Sequence, residues 1–177
     1  MFGRFLTYIL LLSTFFLFSL PASGEEFQLE GKKNVEYTLK YPGLMQDHPL
    51  FFLKKIRDRI NLFLIRDYLK KSDLILQISD KDIHSGLLFS QQGKWGLAAN
   101  TVDTAERDFM KIFPLLNQSK KQGVTSGQDF ILILKLSNEK HQEVIEAILK
   151  DVPQGERKRL SDTLMINKKA ENELKKF

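Results

Sequence analysis

Between Trp95 and Leu116 the residues Trp95, Ala98, Val102, Ala105, Phe109, Ile112 and Leu116 recur at spacings of 3-4-3-4-3-4. That period places all seven along one stripe of an α-helix and excludes a strand, whose faces alternate every second residue. A helix with one apolar stripe must bury it against other elements, and the alanines let a neighbouring helix come close. Pro114 falls inside the run. It lacks the N–H a helix interior needs, so a kink or an end is predicted near Lys111–Phe113.

The flanking sequence keeps the same period. Leu53, Ile56, Ile60 and Phe63 predict a helix over about Pro49–Ile65, widened by Phe52 and Leu64, with its stripe packed against Trp95–Leu116. Leu69, Leu76, Ile83 and Leu87 predict a second helix, capped by Asp67 and reaching Phe89 before the stop at Gln91-Gln92-Gly93-Lys94. Ser126–Lys150 carries Phe130, Ile133, Leu134, Val144, Ile145 and Ile148. Gln154–Lys175 carries Leu160, Leu164 and Leu174, and its lysine-rich end is expected to fray. Val152-Pro153 separates these two, and the polar stretch 117–128 reads as a linker. Short links make sequence neighbours antiparallel. The expected fold is therefore all-α, an antiparallel up-and-down bundle of four to five helices.

Ahead of the bundle, Arg4, the apolar run Phe5–Leu20 and the small residues Ala22 and Gly24 form a signal-peptide pattern over 1–24, with cleavage before Glu25. The run is short for a membrane span of about 20 residues; an uncleaved N-terminal anchor is the alternative. Residues 25–40 form an extended, polar leader, and 41–177 a single helical-bundle domain. The chain has no cysteine, which excludes disulfides, thiolate metal sites and lipid attachment through a lipobox. Its 27 basic and 22 acidic residues give a net charge of +5. These charges are interleaved along helix faces, as on a solvated surface, and form no basic stripe of the kind that binds nucleic acid. The expected location is secreted or extracytoplasmic, associated with the cell envelope.

One stretch stands apart from the helical pattern. Pro42-Gly43 is a turn dipeptide. His48 is placed as an N-cap with Pro49 at the first helical position, and Asp47 falls near the positive helix end. Tyr41, Pro42, Gly43, Asp47, Pro49 and Leu50 are the candidate site. They form either a recognition patch or a structural lock that reverses the leader and starts the helix. The lock accounts for every residue type without a partner.

Tyr41-Pro42-Gly43-Leu44 followed by Asp47-His48-Pro49-Leu50-Phe51-Phe52-Leu53-Lys54 resembles the signature of an uncharacterised domain family of small exported bacterial proteins, many from the candidate phyla radiation. The similarity extends over about Tyr41–Leu116 and departs from the usual pattern at Gln46 and Tyr68, both commonly proline there, and at Phe52, where the usual residue is the closely similar tyrosine. The resemblance implies an exported helical bundle and carries no activity or catalytic residue with it.

Residues for chemistry are sparse. Of the histidines His48, His84 and His141, no two stand at helical spacing, and none opens an HExxH pattern. Asp80 and His84 are one turn apart and are the first candidates for a metal site, although an exposed ion pair explains them as well; His141 beside Glu143 reads the same way. Serine lacks any nucleophile-elbow context. The chain is thus expected to be no enzyme, to need no cofactor, and to bind or scaffold through a helical surface. Its expected partner is an envelope protein or an anionic surface polymer, with membrane contact only through an uncleaved anchor. A small-ligand or metal carrier is the alternative, ahead of a cell-wall hydrolase.

Overall fold

The computed structural model describes residues 35–177; the stretch read as a signal peptide and the leader up to residue 34 lie outside them. The described residues form six α-helices: α1 (Phe51–Leu64), α2 (Tyr68–Gln91), α3 (Trp95–Phe109), α4 (Ile112–Lys121), α5 (Gln128–Asp151) and α6 (Gln154–Leu174). No strand occurs among them, and the expected all-α bundle is present. The long helix foreseen over Trp95–Leu116 is two, broken at Met110-Lys111, with Pro114 in the first turn of α4 where a missing N–H costs nothing. Because α4 continues to Lys121, the linker shrinks to 122–127.

Local chemistry sets most boundaries. Asp67 caps α2, its carboxylate accepting from Leu69 N–H at 2.8 Å and Lys70 N–H at 3.0 Å. Gly93 takes φ +71° and lets the chain turn from α2 into α3. The start of α1 departs from expectation. It begins at Phe51, with Leu50 at the cap position and no side-chain cap of its own. His48 instead accepts the Leu50 N–H on Nδ1 at 3.1 Å, so Pro49 lies in the turn before the helix.

α2, α3, α5 and α6 pack together, α2 against α3 and α5, and α6 against α3 and α5, while α4 closes against α2. Their core has two apolar layers. One gathers Ile75, Leu76, Phe109, Ile112, Phe113, Leu116, Ile131, Leu134, Ala170 and Leu174. The other gathers Ile83, Leu87, Ala99, Val102, Ala105, Val144, Ile145, Ile148, Val152 and Leu160. Each large apolar side chain buried there contributes roughly 1.5–3 kcal/mol. The C-terminus is held as well, since the Phe177 ring stacks on Phe113 at 6.5 Å.

α1 overturns one expectation. It has no buried residue and meets the bundle chiefly through α2. Its inner side is Phe51, Lys54, Asp58 and Leu62, while Phe52, Leu53, Ile56, Ile60, Phe63 and Leu64 face solvent. The stripe read as packing on α3 points away from it.

Candidate functional site

Between the two apolar layers lies a polar one, built around one residue from each long bundle helix: Asp80 from α2, Glu106 from α3, His141 from α5 and Asn167 from α6. All four side chains are fully buried. His141 spans the layer. Its Nδ1 lies 2.8 Å from Glu106 Oε1 and its Nε2 3.1 Å from Asp80 Oδ1. Ser137 donates to Asp80 Oδ1 at 2.8 Å, and the Tyr37 hydroxyl, from the leader, donates to Asp80 Oδ2 at 2.6 Å. Asn167 donates from Nδ2 toward Glu106 Oε2 at 3.3 Å and the Asn138 carbonyl at 3.0 Å. Among the described residues, Ser79 Oγ and Asn167 Oδ1 are buried side-chain atoms without a partner.

An imidazole facing a carboxylate from both nitrogens satisfies both only as the imidazolium, donating twice. Burial opposes that charge; the hydrogen bonds and negative charges of Asp80 and Glu106 outweigh it and raise His141 to about 9. Burial and the Asp80 carboxylate push the Tyr37 phenol upward from its ordinary value. The layer binds four helices and the leader through groups that engage one another. No cluster of three or more His, Asp or Glu residues among those described is arranged to hold a metal. In this layer the two carboxylates sit at opposite nitrogens of one ring.

The metal candidates of the sequence are not brought together. Asp80 turns into the core, whereas His84 Nδ1 lies 3.2 Å from the Lys40 carbonyl oxygen. Nor is His141 an exposed partner of Glu143. Glu143 accepts instead from Lys140 at 2.9 Å and from the Val35 N–H at 3.0 Å.

In the opening stretch, Gly43 takes φ +65°, a left-handed conformation suited to glycine. Lys54 of α1 reaches across this turn and donates to the Pro42 carbonyl at 3.0 Å and the Leu44 carbonyl at 3.2 Å. Asp47 pairs with Lys94, at the α2–α3 turn, at 2.5 Å. Pro42 is buried, while Pro49 is exposed, as are Tyr41 and Leu50, at 69% and 48%.

A cleft of about 290 Å³ lies between α1 and the bundle, and its lining includes Lys54, Asp58, Asp82, Asp108 and Lys111. Asp82 is largely buried there, and burial raises its carboxyl to about 6 despite the nearby Lys54. Lys54 is shifted down, first by its own burial. Above the cleft, α1 turns outward an apolar face in which Phe63 is 84% exposed and Ile60 51%. No helix among the described residues is long and apolar enough to cross a membrane.

Asp80, Glu106, His141 and Asn167 carried a sequence signal that pattern reading passed over. Asp80 stands between Leu76 and Ile83, Glu106 between Val102 and Phe113, His141 between Leu134 and Ile145, and Asn167 between Leu160 and Leu174, each at stripe spacing. A polar residue at a core position of four different helices is the mark of a buried polar layer. No protein-family model, curated protein or solved structure matches the chain.

Proposed function

We propose that the chain is a non-catalytic, exported binding module of the cell envelope whose docking surface is the outward apolar face of α1. The observation that carries this is the orientation of α1, which lays Phe51, Lys54, Asp58 and Leu62 on the bundle and turns its apolar stripe to solvent. Exposed apolar surface of that extent, joined to Tyr41 and Leu50 of the adjacent turn, marks interaction sites. The resemblance of Tyr41–Leu116 to exported helical domains and the signal-peptide pattern support the location. The polar layer supports the scaffold role, because it fixes how α2, α3, α5 and α6 meet and leaves α1 free to engage something else. The test is envelope fractionation of the full chain and of Ile56→Asp/Phe63→Asp. Loss of association with an unchanged melting temperature is the expected result, since neither side chain is buried. Retained association of the variant overturns the reading.

A further inference from the structure

Resting on α1 as the docking surface, we propose that its occupant is an anionic phospholipid surface, in which α1 lies parallel to the plane with its apolar face inward.

The argument starts from the distribution of charge around the helix. At about 100° per residue, Phe52, Phe63, Ile56, Ile60, Leu53 and Leu64 cover roughly a third of the circumference. Arg59 borders that face on one edge and Arg57 on the other, with Lys55 next to Arg59. An apolar face flanked by cations on long stems is the form of a helix lying in a membrane interface, where the stems run along the apolar boundary and the charges reach the headgroups. α1 carries four basic residues, Lys54, Lys55, Arg57 and Arg59, against Asp58 alone. Lys54 is turned inward to the Pro42 and Leu44 carbonyls, and Arg57 donates twice to Asp58, at 3.0 and 2.8 Å, which leaves Lys55 and Arg59 without an acid on this helix. The rim facing outward is therefore net positive.

That charge distinguishes the possible occupants. In a two-fold dimer the same patch meets itself, and since both edges of the face are basic, the cationic edges of one copy would lie along those of the other. A lipid surface bearing negative headgroups complements both the apolar face and its cationic edges, each basic residue near it adding a favourable contribution. Exposed Tyr41 and Leu44 next to α1 extend the apolar face along the opening turn, and tyrosine suits the headgroup level.

The absence of cysteine allows a probe specific to α1, which separates its behaviour from that of the Phe5–Leu20 run. In the full chain, Ile60→Cys and, separately, Asn61→Cys are labelled with an environment-sensitive dye. Each is mixed with vesicles of phosphatidylcholine alone or with added phosphatidylglycerol. The proposal expects a blue shift at position 60 only with phosphatidylglycerol, little change at position 61, and a loss of partitioning on the order of thirtyfold or more when Arg57→Glu/Arg59→Glu is added. A dye at position 60 that stays in water while the chain floats with vesicles overturns the lipid assignment. If the Ile56→Asp/Phe63→Asp chain still loses envelope association, the docking surface stands and its occupant is a protein or polymer. A blue shift that grows with protein concentration in the absence of vesicles assigns the face to a second copy and also overturns the proposal.

Discussion

Gly86 of α2 lies against the Val102 side chain of α3 with no room for a methyl group between them. Val102 is fully buried and β-branched, so it can yield only by leaving its rotamer. We expect Gly86→Ala to lower stability by about 1–3 kcal/mol, as overpacking does. Urea denaturation measures it, and an unchanged midpoint would show that the two helices part without cost.

The polar layer makes stability depend on alkaline pH. His141 is raised from its ordinary 6.5 to about 9 in the folded protein. A raised base binds its proton more tightly when folded, so its contribution is fully present below pH 6.5 and is lost as pH rises through about 9. The loss is on the order of 3 kcal/mol across that window. Denaturation at intervals from pH 6 to 10 reads it directly, and His141→Gln should be less stable throughout and flatter over that range.

Asp82 works in the other sense. Its folded-state carboxyl is raised from 3.8 to about 6, first by burial. Holding its proton more tightly when folded, it favours the fold below pH 3.8 and weakens it increasingly until pH passes about 6. Above that the penalty is constant. Asp82→Asn should therefore raise stability at pH 7, by on the order of 1–2 kcal/mol, and have little effect near pH 3. Thermal melts of the variant at both values test the sign.

The opening turn separates two kinds of residue. Gly43→Val forces a β-branched side chain into φ +65°, at a cost of about 1–3 kcal/mol. Asp47→Ala removes a pair with Lys94 in which both side chains are solvent-accessible, and the melting temperature should not move. Melts of the two variants decide whether Gly43 is a lock while Asp47 serves only to orient the turn.

Which parts were legible from sequence follows from what a local pattern encodes. The stripe of α3, the Asp67 cap and the Gly93 turn are determined within a few residues, and each was readable. The periodicity of α1 was equally plain; its direction was not, because a period defines a face without saying what the face meets. The Asp47-His48-Pro49 signal was read two residues too early, since His48 accepts the Leu50 N–H while the helix waits until Phe51. The polar layer escaped for another reason. Asp80 and Glu106 meet His141 from 61 and 35 positions away, and each looks locally like one more charge on a mixed surface.

Those same separations impose an order in time. Tyr37 leaves the ribosome 43 residues before Asp80, and Asp80 precedes His141 by 61. At about 5–20 residues per second, the Asp80 carboxylate waits on the order of several seconds for the imidazole it is paired with, and Glu106 waits for both His141 and Asn167. An early compact state would have to hold these acids out of the apolar interior until then. Closure of the bundle around this layer therefore requires α5 and α6, which supply His141 and Asn167, to be in place.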